Sequence, residues 1–477
     1  MRRCEIQNLE TPDTRKCRNW QTSKTKDLVV VTSCGFKSHL PHERLKLKDL
    51  SLFALWRKIY AEKSEAALAD HEWKRILETW ISQVKQGEKI LILPPDITRC
   101  YSYAGKITAY LYEKLSGECK VRIMPAVGTH RQMTREERIR FFGAIPDVCF
   151  LSHNWKNDTE DICIVPEEIV SEATGGTYRR AITAELNRNV LSGEFDRIVS
   201  IGQVVPHEVV GMANYTKKLL VGVGGRDMIN QSHMISAICG IEKIMGRENT
   251  PVRRIFDYVQ KNFLDQLKIT FMLTVTCEKH QDSDLYGFYI GEERETFSAA
   301  CRLAEKKNIT WLPKRAKKIV TWLDPAEFGS TWVGNKAVYR TRMAIADGGE
   351  LLILAPGIKS FGENEEVDSC IRKYGYSGTE TIQNAYENGE FNGIEMAAAH
   401  LIHGSSDGRF KITYAADPKL MPEEIMRSVG YEWTDIGPMM KKYQPKGKET
   451  GWYEDNGEEY YFIKAPAVGL WRVKGEA

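Results

Sequence analysis

Along the chain, short β-branched apolar runs alternate with longer amphipathic stretches. The runs Leu28–Thr32, Lys89–Leu93, Val121–Pro125, Arg197–Ile201, Lys268–Thr274, Lys318–Trp322, Leu351–Ala355 and Phe410–Tyr414 read as strands. Between them, Ala104–Leu115 carries apolar residues at helical spacing. Arg135–Phe142 follows Thr134, with Glu137 three residues on, the pairing that makes a capping box. Met228–Met245 follows Asp227, which suits the same capping position. Strand then helix, repeated, predicts an α/β chain whose sheets are mostly parallel and covered by helices.

Length divides this pattern. A chain of 477 residues exceeds what one hydrophobic core usually supports. The polar, basic stretch Lys306-Lys307-Asn308 precedes a fresh series of strand and helix signals, so a boundary is expected near residues 307–316. The expected organisation is an extension over 1–50 with a weak fold signal, a domain over 51–310 and a second over 311–477.

Composition removes several functional classes. Hydrophobic residues at 42% and charged residues at 27% describe an ordinary globular protein, and no segment approaches the ~20 apolar residues needed to span a bilayer. The N-terminus is basic but no apolar core follows, which argues against a secretory leader and for a cytoplasmic location. A net charge of +3 with interspersed signs offers no single-sign field for nucleic acid. Eleven cysteines are scattered singly, without zinc-site or redox-dithiol spacing, and read as reduced small hydrophobes.

The chemistry-bearing residues gather at expected strand ends, the edge where parallel-sheet enzymes work. Asp96-Ile97-Thr98-Arg99 follows one strand, Gly128-Thr129-His130-Arg131 a second, and Pro206-His207 through Gly211 to Lys217-Lys218 a third. Gly222-Val223-Gly224-Gly225 then leads into the helix carrying His233. Each feature alone has a plainer reading. Asp96 and Arg99 suit a local ion pair, the two lysines solvated charges, His153, His400 and His403 structural or surface positions, and the glycines an ordinary loop.

Taken together, and in this order, these segments resemble the lactate racemase family. Its pattern is D-x-T-R, G-T-H-R, a histidine followed by a glycine and then a lysine, and a histidine on the next helix. Here the spacing of His207, Lys217 and His233 matches. Gly348-Gly349-Glu350-Leu351-Leu352-Ile353 is similar to the family's glycine-led strand in its second domain.

The resemblance implies a racemase or epimerase that inverts the hydroxyl-bearing carbon of a 2-hydroxy acid through a 2-keto acid. It implies a nickel-pincer nucleotide, a pyridinium-3-thioamide-5-thiocarboxylic acid mononucleotide with Ni(II), tethered to Lys217 and supplied by separate maturation enzymes. His233 would be the metal ligand, His130 and His207 the acid–base pair, and Asp96 a cofactor contact or an orienter of Arg99. Arg99, Lys336 and Trp332 would meet the substrate in a cleft between the domains.

Three departures bear on substrate. Asn214-Tyr215-Thr216 replaces a Gly pair before the lysine, Trp332-Val333 a tyrosine–glutamine pair, and Cys100 a proline. They leave a lactate-like acid and a larger sugar-derived acid epimerised at C2 both open. The competing readings are a nicotinamide-dependent oxidoreductase, a non-catalytic binding module on the same fold, and a zinc hydrolase using His130, His207 and His233.

Overall fold

The computed structural model describes residues 58–279 and 282–475; the expected extension over 1–50 and the expected strand Leu28–Thr32 lie outside these residues. Two six-stranded sheets organise the described chain. The first has the order Lys58–Glu62, Asp282–Gly291, Ile269–Lys279, Arg197–Gln203, Lys89–Leu93, Lys120–Ile123. Its last four strands are mutually parallel, and an antiparallel hairpin with an edge strand closes the other side. The second has the order Glu432–Asp435, Lys411–Ala416, Ile345–Leu354, Ala316–Trp322, Glu458–Ile463, Gly451–Asp455, parallel except for the last pair. The expected class, α/β with mostly parallel sheets, therefore holds.

Lys89–Leu93 shows why these runs become central strands. Side chains alternate between the two faces of a sheet, so an unbroken apolar run needs cover on both. Ile90 and Ile92 pack with Trp73, Ile107 and Leu111, whereas Leu91 and Leu93 join a second cluster. That second cluster continues into Ile319, Leu351 and Ile353 of the other sheet, so one apolar core runs between the two halves.

Two helices sit where their periodicity put them, at Ala104–Leu115 and Arg135–Phe142. Thr134 Oγ1 accepts from Glu137 N at 3.2 Å and Glu137 Oε2 accepts from Thr134 N at 2.9 Å, completing the capping box. The third differs: it runs Arg226–Cys239, with Gly225 at the cap and Gly240, at φ +87°, beyond its end. Asp227 lies in the first turn, where its carboxylate accepts from Thr183 N at 2.7 Å. A Cβ on Gly225 would stand 2.3 Å from the Glu185 carboxyl, so only glycine lets that loop close.

The strand expected at Val121–Pro125 is Lys120–Ile123, and that expected at Phe410–Tyr414 is Lys411–Ala416. At 309–316 a short strand, Ile309–Leu312, pairs in parallel with Leu470–Val473, so the end of the described chain is fastened back there. All eight cysteines among the described residues are free thiols; Cys149, Cys301 and Cys370 are buried and Cys100 is exposed. No helix among the described residues is long and apolar enough to cross a membrane.

Candidate active site

Because Lys89–Leu93, Lys120–Ile123 and Arg197–Gln203 are parallel neighbours, their carboxyl ends open on one edge of the first sheet. Two of these edges are stitched together beyond the strands by a bridge between Pro95 and Ala126. Asp96 follows as the buried cap of a short helical turn, Ile97–Ser102, and its Oδ1 accepts from Thr98 N at 3.1 Å. Its other oxygen stands 2.7 Å from Nδ1 of His130, whose ring is exposed.

Burial pushes the Asp96 carboxyl up, but the bonds from His130 and Thr98 outweigh it and hold the group below the ordinary carboxylate range. An ionised Asp96 accepts only, so His130 carries its proton on Nδ1 and presents a bare Nε2. The local ion pair expected between Asp96 and Arg99 gives way to this couple. Arg99 is exposed, and its backbone N–H donates to the Asp96 carbonyl at 3.1 Å.

The turn carrying His130 is fixed to the lysine segment, since Gly128 N, at φ +56°, donates to Gly222 O at 2.9 Å. His207 lies buried in a small ribbon, Pro206–His207 against Gly211–Met212. Val209 N donates to His207 Nδ1 at 3.1 Å, so a neutral His207 has its proton on Nε2. Burial drives this imidazole well below its ordinary value, and nearby Lys217, Arg99 and His233 add to the shift against the pull of Glu208.

Glu208 itself is an ionised carboxylate. Burial raises it, but His207 first and then Arg340 pull it well below the usual range. His207 Nδ1 and Glu208 Oε2 stand 3.8 Å apart and titrate as a pair, with Arg340 as a further counter-charge.

Lys217 and Lys218 are not the solvated pair that their sequence position suggests. Lys217 is half-buried; burial and the neighbouring Arg99 bring its ammonium down to about 8. Lys218 is buried and shifted well down by burial and by Lys217. Both follow a strained bend in which Asn214 and Tyr215 occupy the left-handed region, at φ +73° and +56°.

Arg253 holds that bend from beneath. Fully buried, it donates to Thr216 Oγ1 at 2.6 Å, Met212 O at 2.7 Å and Asn214 O at 3.2 Å. Tyr215 is packed between Phe271 and Phe297, with ring centroids 4.4 and 5.3 Å away. The substitution of bulkier residues for a Gly pair is therefore absorbed by the core, and Tyr215 does not shape a substrate pocket.

His233 projects from the second turn of the Arg226–Cys239 helix, with Nδ1 2.6 Å from Ile229 O. That bond fixes the tautomer as Nδ1–H and leaves Nε2 as the free lone pair. Burial lowers its basicity, opposed by the Ile229 bond and reinforced by Lys217.

The second half contributes a helix, Lys336–Thr341, that brings its cations to the same place. Lys336 is lowered by burial and by Arg340, with Glu208 and Arg99 of the first half within electrostatic reach. Arg340, one turn on, donates to Pro206 O at 3.5 Å, the residue next to His207, and to Gly469 O at 2.6 Å. Trp332 precedes this helix and lies against the buried His400, ring centroids 4.2 Å apart.

Glu208, Arg340 and Arg253 were not singled out from the sequence. The adjacency of Glu208 to His207 and the helical i,i+4 spacing of Arg340 from Lys336 were available signals; Arg253 offered none, because its partners lie some forty positions away. His400 and His403 are buried in the Glu395–Gly404 helix, and His153 beneath the first half. Among the described residues no three His, Cys, Asp or Glu side chains gather as a metal cluster. Gly222–Gly225 follows the helical turn Lys218–Gly222 and not a sheet strand, which is not the arrangement of a dinucleotide fingerprint.

A mostly parallel two-sheet α/β fold thus brings titratable side chains, a lowered lysine and an oriented imidazole together. Residues 61–244 match the family model of the lactate racemase N-terminal domain. A protein from Thermotoga maritima solved by a structural genomics programme shares the fold at a TM-score of 0.72 and 22% identity, over 87% of this chain and 100% of its own. The lactate racemase apoprotein of Thermoanaerobacterium thermosaccharolyticum shares it at a TM-score of 0.61 and 20% identity, over 81% of this chain and 87% of its own. No curated protein matches the chain.

Proposed function

We propose that this chain is a cytoplasmic racemase or epimerase of 2-hydroxy acids, working with a nickel-pincer nucleotide. In this reading it has an extension over 1–50 and two domains, 51–310 and 311–477, with the substrate between them. The observation that supports it most is a shared site: His207, Glu208, Lys217 and Lys336 are shifted by burial first, and then by charges that include Arg99 of one half and, for Glu208 and Lys336, Arg340 of the other.

The residues suit the cofactor. Lys217, lowered to about 8, has an appreciable fraction of free amine at neutral pH, which covalent attachment needs. His233 offers a single oriented Nε2 and would be the residue that holds the metal. When bound, that group would supply a reversible hydride acceptor.

The chain's own residues do the rest. Arg99 and Lys336 grip the carboxylate, with guanidinium supplying two parallel hydrogen bonds. His130 takes the hydroxyl proton on Nε2 as hydride leaves the same carbon, while Asp96 stabilises the imidazolium that forms. His207 meets the developing keto oxygen with its Nε2–H. Return of hydride to the opposite face, with the proton restored to oxygen, inverts the carbon without net oxidation. Trp332, whose ring lies tilted against His400, would bound the substrate's far end.

The test is intact-protein mass with nickel analysis after co-expression with the family's maturation enzymes, on wild type and Lys217→Ala. A covalent adduct with about one nickel per chain, lost in Lys217→Ala, supports the class and justifies a screen of 2-hydroxy and aldonic acids. A matured wild type with neither adduct nor nickel would overturn it and favour a nicotinamide-dependent oxidoreductase or a binding module.

A further inference from the structure

The proposed mechanism leaves a buried amine unused. Lys218 follows Lys217 at the head of the helical turn Lys218–Gly222, is 7% exposed, and has no hydrogen-bond or ion-pair partner among the described residues. Its side chain runs back to the central strand Arg197–Gln203: a Cβ on Gly202 would stand 3.0 Å from Lys218 Nζ and would also strike Asn214 Nδ2. The glycine leaves room for the amine at the carboxyl edge of the sheet, where Asp96 and Arg99 follow the parallel neighbour Lys89–Leu93.

A positive charge has little support at this position. An ammonium buried without a counter-ion is destabilised, and a second cation beside it destabilises it further. The Asp96 carboxylate lies within electrostatic reach, but it is already engaged by His130 and Thr98. Burial first, then Lys217 and Arg99, hold the amine well below the ordinary lysine value against the pull of Asp96. The nitrogen thus keeps its lone pair.

A desolvated lysine beside another cation is the arrangement that activates an amine toward a carbonyl carbon. The exposed guanidinium of Arg99 suits a carboxylate on the same molecule. We propose that Lys218 is a nucleophilic lysine that condenses reversibly with a 2-keto acid to form a Schiff base. The nitrogen adds to the keto carbon, its two protons leave with the keto oxygen as water, and C=N replaces C=O with no change of oxidation state. The choice of a keto acid rests on the function proposed above; the reactivity of the amine does not.

The experiment is reductive trapping. The full chain, made without the maturation enzymes, is incubated at neutral pH with pyruvate and sodium cyanoborohydride, whose hydride reduces C=N to a stable secondary amine. Intact mass and peptide mapping then locate the adduct. One adduct per chain, on Lys218, is expected, and this site assignment in wild type stands without any variant. Lys218→Met, which removes an unpaired buried amine, should abolish it. Gly202→Ala, which crowds the amine but keeps it, should slow it several-fold. Acetone, a ketone without a carboxylate, should label Lys218 far more slowly than pyruvate. No adduct, an adduct that favours Lys217, labelling spread over the exposed lysines, or acetone labelling as fast as pyruvate overturns the proposal. Trapping needs no nucleotide: a trapped Lys218 in a chain that never takes nickel leaves this inference standing, and nickel loading without trapping leaves the proposed function standing.

Discussion

His130 Nδ1 and Asp96 Oδ2 stand 2.7 Å apart, joining an exposed imidazole to a buried carboxylate across thirty-four positions of sequence. The contact exists because adjacent parallel strands deliver both residues to one edge. It fixes which ring nitrogen carries the proton, and so which one can act on a substrate.

Asp96→Asn should therefore lower kcat by about 10²–10⁴-fold, the scale of a lost acid–base arrangement, with a smaller change in KM. Steady-state kinetics on the matured enzyme checks this. The depressed Asp96 pKa also contributes stability that is present above the unfolded carboxylate value and lost as pH falls through the folded one. Wild type should accordingly exceed Asp96→Asn in denaturant midpoint at neutral pH, and the gap should close below about pH 4.

The two candidate acid–base histidines should differ in tautomer. ¹⁵N NMR of the protein at pH 7 is expected to show His130 protonated on Nδ1 and His207 on Nε2. Finding both rings in the same form would remove the division of labour between them.

Acid should destabilise the fold early. Burial pushes His153 down to about 4 and His400 and His403 down to about 3, so each stays neutral when folded and charges when unfolded. The unfolded chain binds more protons below about pH 6.5, and stability should fall by up to about 1.36 kcal/mol per pH unit per histidine between there and the folded values. Urea unfolding at stepped pH measures the slope, and His400→Gln should reduce it.

Lys217 should be acylated by an amine reagent with a pH midpoint near 8, where an ordinary lysine reacts near 10.4. Peptide mapping of the unloaded protein reads this directly. A midpoint above 10 would mean that burial does not prepare this amine for attachment.

The bend before Lys217 makes opposed predictions at adjacent positions. Asn214→Gly relieves a left-handed residue and should be near neutral or stabilising. Tyr215→Gly relieves similar strain, about 1–2 kcal/mol, but removes a buried aromatic at about 3–5 kcal/mol. A net loss of about 1–4 kcal/mol is expected, measured by thermal or denaturant unfolding.

The class of fold, the position of most strands and two helices with their limits were legible in the chain alone, as were the polar segments at the strand ends. They were legible because those signals are local: apolar runs, 3.6-residue periodicity, a Thr134–Glu137 box, and motif spacing within a few residues. Where local pattern failed, a distant contact decided. The Asp227 helix starts earlier because Thr183 claims the aspartate and Glu185 leaves room only for Gly225.

Tertiary structure alone decided which partner each functional group has. It turned two apparently solvated lysines into a half-buried and a buried amine, took Asp96 from Arg99 and gave it to His130, and set Arg253 under a bend that lacks the usual glycines. It also brought Arg340 beside Pro206 and Glu208. Charge, burial and tautomer depend on neighbours brought together by strand order and packing, and no local pattern of residues encodes those neighbours.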